Sequence, residues 1–382
     1  MRAKDLTNTD RNAILLLELY SSTVKPQLTD ANKAVRLQWA IEHVRSAAPG
    51  TYTFDPLYDS VHVDEKWFFA TRVKQTYYLA PGEKPPHRTC KSKRFIKKVM
   101  FLSAVARPRW NDESGEWFDG KIGTWHFTEL VPAERSSRNR PAGTLVTTPV
   151  AVTRPVYKDM LVKHVIPAIK TKWPKGASRR VFLQQDFAKP HVAPTDDDII
   201  EACSSGGWAM ELKFQPPNSP DLNVLDLGFF RSIQTIQEEN FSRSVDDIIA
   251  ATDNAWRRVD MMTLNSNFLT LQCCMLEIIR FAGCNSYKIP HMRKNVLSAS
   301  GRLPESVMAD GDVIDYGFSL LCATVMEEKF LQLAAEVSES LDMADFSSEM
   351  EKLSVDGDLD EEGDNALDEL DAELIRRLEN VL

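Results

Sequence analysis

Three aspartates constrain most strongly what this chain can fold into, because each stands at the edge of an apolar run. They are Asp64 in Val-His-Val-Asp-Glu-Lys-Trp-Phe-Phe, Asp186 closing Val-Phe-Leu-Gln-Gln-Asp, and Asp226 in Leu-Asn-Val-Leu-Asp-Leu-Gly-Phe-Phe. A carboxylate among Val, Leu and Phe is poorly solvated, and its charge is costly to bury unless something pairs with it. Taken singly, each reads equally well as a residue that caps or ends its element. Taken together, they are a set of hard oxygen donors suited to magnesium or manganese, and a two-metal site of that kind cleaves or joins phosphodiesters.

Charge bears on whether such a substrate fits. The chain of 382 residues carries a formal charge of −9, which taken alone argues against a polyanion. The acid is unevenly placed, however. From Met326 to Leu382 there are 19 Asp or Glu against 4 Lys or Arg, a net of −15, so the other 325 residues carry +6. A mildly basic body with an acidic tail is compatible with a nucleic-acid-binding core whose own tail competes for the same surface. Cys90, Cys203, Cys273, Cys274, Cys284 and Cys322 show neither Cys-x-x-Cys spacing nor histidines at zinc-ligand distance, which fits a reducing, intracellular setting. No apolar stretch approaches the roughly 18 residues needed to span a bilayer, and the N-terminus lacks the apolar run of a signal peptide.

Periodicity predicts a helix over residues 6–20 and a second from Asp30 to Arg45 after a Thr29 cap, with Val35, Leu37, Trp39, Ile41 and Val44 as its apolar positions. Ser60 to Thr71, Gln75 to Ala80 and Lys98 to Ala106 read as strands, dense in β-branched and aromatic residues. The Trp- and Gly-rich stretch from Trp110 to Trp125 reads as a hairpin or loop excursion. Val156 to Lys172 predicts an amphipathic helix, Arg180 to Gln185 a short buried strand ending at Asp186, and Glu211 to Gln215 another strand. A rigid Pro216–Pro220 turn precedes a helix from Val224 to Asn240, and helical sequence continues through Phe281. Strands followed by β-α-β-α alternation indicate an α/β domain with a mixed sheet. Beyond Glu336 the Ser-, Asp- and Glu-rich composition predicts disorder, with Leu367, Leu370, Leu374 and Leu378 at helical spacing near the end.

These motifs in combination resemble the catalytic domain of mariner-like transposases. The resemblance is carried by Val-His-Val-Asp64-Glu-Lys-Trp-Phe, by Leu-Gln-Gln-Asp186-Phe-Ala-Lys-Pro-His191, and by Gln215-Pro-Pro-Asn-Ser-Pro-Asp221-Leu-Asn223-Val-Leu-Asp226-Leu-Gly-Phe-Phe. Lys93-Arg-Phe-Ile-Lys-Lys-Val-Met-Phe-Leu and Phe118-Asp-Gly-Lys-Ile-Gly lie between them, and the whole spans Lys25 to Phe281. It implies a ribonuclease-H-like mixed sheet flanked by helices, and a metal-dependent enzyme that cuts and joins DNA strands during cut-and-paste transposition. It further implies Asp64, Asp186 and Asp226 as catalytic metal ligands for two Mg2+ or Mn2+ ions. Transposon ends and target DNA would be its partners, with a homodimer as the working form, no membrane association, and the nucleus as its location.

The interval between the second and third acids sharpens the subtype. Thirty-nine residues lie between Asp186 and Asp226, which matches the plant-type branch, where the third acid is Asp. Asp221, with 34 residues intervening, is the rival third ligand. In sister branches the acid lies five positions beyond the Asp of the Ser-Pro-Asp-Leu-Asn turn, and that position is Asp226 here. The chain departs from the family pattern in two places. Phe187 stands directly after the second aspartate, where the family usually has Asn, an amide able to orient a carboxylate or a water. The paired helix-turn-helix modules that precede the catalytic domain in the family also lack a counterpart of full length. Leu6 to Tyr20 resembles the start of that region and Thr23-Val-Lys-Pro-Gln-Leu-Thr its far end, with a junction near Glu18–Ser22.

Other residues carry smaller expectations. His191, five positions after Asp186, either approaches the scissile phosphate or is structural, and Asn223 stands where it can support a ligand. Glu65, one residue along a strand from Asp64, is expected on the opposite face and outside the ligand set. His62 is expected to form a hydrogen bond in the core. Asp196, Asp197 and Asp198 after Thr195 read as an N-cap with acids in the first helical turn. Lys66, Lys91, Lys93, Arg94, Lys97 and Lys98 are the candidates for contact with DNA phosphates. The expected organisation is a truncated DNA-binding remnant over 1–55, the catalytic domain over 56–290, an extension over 291–335 and the acidic tail over 336–382. The second functional reading is a transposon-derived DNA-binding or interaction protein with weak catalysis, supported by Phe187, the shortened reader and the tail.

Overall fold

The computed structural model describes residues 25–48, 50–70, 96–136, 140–239 and 242–322. The expected helix over 6–20, the strand over 75–80, the basic residues Lys91, Lys93 and Arg94, and the acidic tail with its leucine-spaced end all lie outside them.

The chain enters through α1 (Asp30–Glu42), capped by Thr29, whose side chain accepts a hydrogen bond from the Asn32 amide at 3.1 Å. The helix stops at Glu42 rather than running to Arg45. Val44, expected on its apolar side, instead opens β1 (Val44–Ala48), which pairs antiparallel with β2 (Thr51–Phe54), Val44 opposite Phe54. A β-branched residue packs better on a pleated strand than at a frayed helix end. β12 (Met308–Ala309) completes this small sheet on the other side of β2.

The main sheet contains β3 (Ser60–Phe69), β4 (Lys98–Ala106), β7 (Lys121–His126), β10 (Arg180–Gln185) and β11 (Ala209–Phe214), in the order β11-β10-β3-β4-β7. β11, β10 and β3 are mutually parallel, while β4 and β7 run antiparallel. The sequence placed β3, β4 and β10 within two residues at each end. It missed β7 as a strand of this sheet, reading the stretch as a hairpin or loop excursion. The excursion itself is the short hairpin β5 (Arg109–Asn111) and β6 (Glu116–Phe118), after which the chain returns to the main sheet at Lys121 and then forms a second antiparallel pair, β8 (Thr128–Pro132) and β9 (Leu145–Pro149). Glycine and lysine within Lys121–His126 mask a strand whose place is set by pairing with β4.

Both faces of the sheet are covered, as nearly continuous apolar strands require. Val61, Val63, Leu102, Ala104, Val181, Leu183, Met210 and Leu212 face one layer. That layer holds α2 (Arg154–Met160), a π-helical turn (Leu161–Val165), α3 (Ile166–Lys172) and α4 (Asp197–Ser204). Asp196 caps α4, with Asp197 and Asp198 in its first turn as the sequence predicts, because the Asp196 carboxylate accepts from the amides of Asp198 and Ile199 at 3.1 and 3.3 Å. Phe68, Val99, Phe101 and Val105 face the other layer. It is built from a π-helical turn (Leu225–Phe229), α5 (Phe230–Gln237), α6 (Val245–Arg258) and α7 (Met261–Arg280). The single helix expected over 224–240 is therefore two unlike segments, and Ser244 and Asp260 interrupt the helical run that follows.

Leu37, Ala40 and Ile41 of α1, Phe54, Val307, Ala309 and Ile314 belong to that same second core. Ile314 lies in α9 (Gly311–Cys322), after α8 (Lys294–Ala299). Among the described residues no helix is long and apolar enough to cross a membrane.

Gly120, just before β7, has φ +75°, and a Cβ there would stand 2.2 Å from the Ala106 carbonyl oxygen. That oxygen belongs to backbone already committed to the sheet, since the Ala106 amide donates to the Gly120 carbonyl at 2.8 Å. We expect Gly120→Ala to destabilise the fold by about 1–3 kcal/mol, read as a lowered midpoint in chemical denaturation.

Candidate active site

Parallel pairing of β3 and β10 decides how the first two acids meet. Gln184 stands beside His62, and each strand carries its aspartate two residues further on, Asp186 and Asp64. Asp64 is 7% exposed in the central strand. Asp186 lies just past the last residue of β10 with its side chain 41% exposed. Asp226 arrives from the second layer, the one that Asp64 faces, in the turn Leu225–Phe229.

The junction between Asp64 and Asp226 is organised by Asn223. Its Nδ2 donates to Asp64 Oδ2 at 2.9 Å, while its Oδ1 accepts from the Leu225 amide at 3.0 Å. One buried amide thus holds the strand carboxylate and starts the helix that carries Asp226. Asp64 Oδ1 accepts from the Glu65 amide at 2.8 Å. Burial, followed by the charges of Asp226, Glu65 and Asp186, pushes the Asp64 carboxyl well above its usual range. Desolvation also raises Asp226, and Asp186 adds to the effect, whereas Lys66 and a hydrogen bond with Asp64 pull it back. Two acids whose charges oppose each other hold a proton more tightly, and a cation between them would release it.

The second flank of the site departs from the sequence reading. Glu65 does face away from Asp64, on the side of Val61 and Val63. It nevertheless belongs to the cluster, because His191 Nε2 donates to Glu65 Oε1 at 3.0 Å. The other nitrogen, Nδ1, lies 2.8 Å from Asp186 Oδ1. Burial opposes a charge on this imidazole, but the two carboxylates outweigh it and carry the His191 pKa up to about 11. Burial likewise works to raise Asp186, and the His191 hydrogen bond and charge overcome it and hold this carboxyl below its ordinary range. Tyr157, which sequence reasoning missed, stacks on His191 at 4.3 Å between ring centroids and donates its hydroxyl to Gln185 Oε1 at 3.0 Å. An aromatic residue in an amphipathic helix reads as core, so nothing in the sequence marks Tyr157 as the floor of this cluster.

Asp221, the rival third acid, is bound elsewhere. Both its oxygens accept from Arg36, at 2.7 and 2.6 Å. His62 shares the face of Asp64, but it makes no hydrogen bond at either ring nitrogen and packs edge-on against Phe268 at 5.4 Å. Burial, then His43, lowers its pKa to about 3, so the ring is neutral and acts as an apolar filler. Phe187 turns its ring onto Phe214, 4.4 Å between centroids, instead of supplying an amide to Asp186. Of the candidate DNA contacts, Lys66 points along the Asp226 side, 5.6 Å from the Phe230 ring. Lys97 donates to the Arg243 carbonyl at 2.8 Å, and Lys98 lies 4.1 Å over the Trp67 ring. Both lysines are exposed, at the end of β4 that pairs with the carboxyl end of β3.

Three carboxylates of hard-oxygen type, two of them with unbalanced negative charge, are the right donors for Mg2+ or Mn2+. Among the described residues no group of three or more His, Cys, Asp or Glu side chains already stands in metal-holding geometry.

A five-stranded mixed sheet in this order, covered by helices on both faces, is a ribonuclease-H-like fold. In particular, the chain is similar to Mos1 transposase structures. It matches a pre-cleavage Mos1 transpososome with a TM-score of 0.52 and 18% identity, covering 73% of this chain and 70% of that one. It matches the Mos1 strand transfer complex with a TM-score of 0.51, at the same identity and coverage. No protein-family model matches the chain, and no curated protein does.

Two outcomes follow from the geometry. Removing the amide in Asn223→Ala leaves buried Asp64 Oδ2 without its donor and should cost about 1–3 kcal/mol in denaturant unfolding. The stabilisation contributed by His191 is fully present below pH 6.5, the ordinary imidazole value, and is lost as pH rises towards about 11, where the folded-state group titrates. An NMR titration should therefore find His191 still protonated at pH ~9, and a midpoint near ~6.5 would show that the bridge does not form in solution.

Proposed function

We propose that this chain is the catalytic domain of a DNA transposase of the plant-type mariner-like branch, hydrolysing phosphodiesters and transferring strands with Mg2+ or Mn2+. The observation that supports the reading is that Asp64 and Asp186 follow paired positions of the parallel strands β3 and β10, while Asp226 reaches a hydrogen bond with Asp64, so that the charges of all three act on one another. Asp64, Asp186 and Asp226 would hold two divalent cations. When bound, these would supply Lewis-acid polarisation of the scissile phosphate and favour ionisation of the attacking water or 3′-hydroxyl.

The remaining work belongs to side chains of the protein. Asn223 fixes the orientation of Asp64, and His191, held by Glu65 and stacked on Tyr157, fixes that of Asp186. Lys66 sets a positive charge beside Asp226, where a DNA phosphate would approach. Lys97 and Lys98, with Lys91, Lys93 and Arg94 outside the described residues, extend that positive side along the DNA. Recognition of transposon ends, capture of target DNA, action as a homodimer and a nuclear location are parts of the same reading. So is the division into an N-terminal segment over 1–55, a catalytic domain over 56–290, an extension over 291–335 and an acidic tail over 336–382.

A specific observation favours a second reading, that of a DNA-binding protein with weak catalysis. Asp186 Oδ1 is engaged by His191 and by the Ala188 amide at 3.0 Å, and Phe187 offers no amide to redirect it.

Nicking of supercoiled plasmid by the purified chain separates the two. The transposase reading expects cleavage that requires Mn2+, stops with chelator, and falls at least ~100-fold in Asp64→Ala, Asp186→Ala and Asp226→Ala. Plasmid binding with nicking equal in the wild type and Asp186→Ala would establish the second reading instead.

A further inference from the structure

Arg36 lies in the middle of α1 with its side chain 0% exposed. A guanidinium does not give up its charge inside a protein, so such burial is tolerated only where its donors are answered. Its Nη1 and Nη2 donate to the two oxygens of Asp221 at 2.7 and 2.6 Å, and its Nε donates to the Gly283 carbonyl at 2.9 Å. The Tyr287 hydroxyl donates to Asp221 Oδ2 at 2.5 Å. The approach at Gly283 is possible only for glycine, since a Cβ there would stand 1.9 Å from the Lys33 carbonyl oxygen at φ +87°. Three segments remote in sequence are tied at this point: α1, the turn carrying Asp221, and the irregular stretch after α7 that holds Gly283 and Tyr287.

The turn held by this tie leads directly to the site. Asp221 is the middle residue of the tight turn Pro220–Leu222. The next carbonyl, that of Leu222, accepts from Gln184 Nε2 of β10 at 2.8 Å. Asn223 follows with its 2.9 Å bond to Asp64, and Asp226 stands three residues later. The turn is thus pinned to the sheet by Gln184 and to α1 by Arg36, and nothing else with charge anchors it from the outer side among the bonds made by Asp221.

We propose that Arg36 is a positioning residue which, through Asp221, sets the turn that presents Asn223 and Asp226 to Asp64. Helix α1, ahead of the first catalytic strand, is then a working part of the site and not a connector from a DNA-reading region. This inference rests on the reading of the three aspartates as a metal site. Stability and positioning separate here for a physical reason. Replacing both partners of a buried ion pair by apolar groups is often neutral for stability. It would nonetheless free the turn, and a displacement of about 1 Å at a reacting group can cost ~100-fold in rate.

The test uses the full chain carrying Arg36→Met with Asp221→Leu, and separately Tyr287→Phe and Arg36→Lys, with Asp226→Ala as the reference for a lost ligand. Circular dichroism melting reports folding, electron paramagnetic resonance of free Mn2+ reports metal affinity, and plasmid nicking reports kcat and KM. In variants that stay folded we expect Mn2+ affinity and kcat to fall about 10–100-fold with KM for DNA unchanged. Arg36→Lys should not restore them, because an ammonium lacks the two-pronged fork. A folded double variant with wild-type Mn2+ affinity overturns the proposal. If the double variant does not fold, wild-type affinity in folded Arg36→Lys, which keeps the charge but loses the two-pronged fork, overturns it as well. A wild type that binds Mn2+ without cutting DNA defeats the transposase reading alone, and the variants then decide positioning by affinity. A wild type that binds no Mn2+ defeats both.

Discussion

A carboxylate in the central strand of a sheet that is covered on both faces cannot be fully compensated from within its own strand. Asp64 is in that position, with β10 on one side, β4 on the other and helices above and below. The Glu65 amide of its own strand answers one oxygen, and the other depends on the Asn223 amide delivered from elsewhere in the chain. The requirement reaches far into the molecule. Asn223 must be delivered at hydrogen-bond distance, so the preceding turn must be held against β10 by Gln184 and against α1 by Arg36. A buried acid on one strand therefore dictates the packing of a helix more than twenty residues upstream in the chain.

The two sides of the site are electrostatically unlike. On the Asp226 side, desolvation and mutual repulsion leave acids that favour their protonated form, with Lys66 as the nearest opposing charge. On the Asp186 side, an imidazolium is enclosed by two carboxylates and an aromatic ring, and it offsets one of the two negative charges. The alternation of Asp64 and Glu65 across the pleat makes this division possible. Consecutive residues reach opposite layers, and His191 returns the charge of Glu65 to Asp186 around the end of β10. A divalent cation would find its strongest unmet demand between Asp64 and Asp226.

What was readable beforehand followed from how local each cause is. Ser60 to Phe69, Lys98 to Ala106 and Arg180 to Gln185 are buried on both faces, so their apolar density announces them without help from neighbours. The cap at Asp196 with acids in the first turn was legible too, because capping is decided within a few neighbouring residues. Lys121 to His126 was hidden, since a strand containing glycine and lysine is stabilised by its partner and not by its own composition. Arg36 was passed over for a related reason. A charged residue on a helix is normally solvated, and its burial becomes visible only when Asp221, 185 positions away, is seen to receive it. His62 erred the other way: a histidine expected to form a hydrogen bond is a neutral ring against Phe268.

The sequence by itself determined the class of fold, the strands that carry Asp64 and Asp186, and the set of acids worth considering, because hydrophobic periodicity and short motifs are properties of neighbours in the chain. It left Asp221 and Asp226 as rivals, resolved by an interval and not by a contact. Tertiary structure alone decided that Asp221 is spent on Arg36, that Glu65 joins the cluster through His191, and that α1 bears on the site. Each of these is an interaction between charges brought together from distant positions, and the strength of such an interaction depends on distance and burial, which a linear order of residues does not contain.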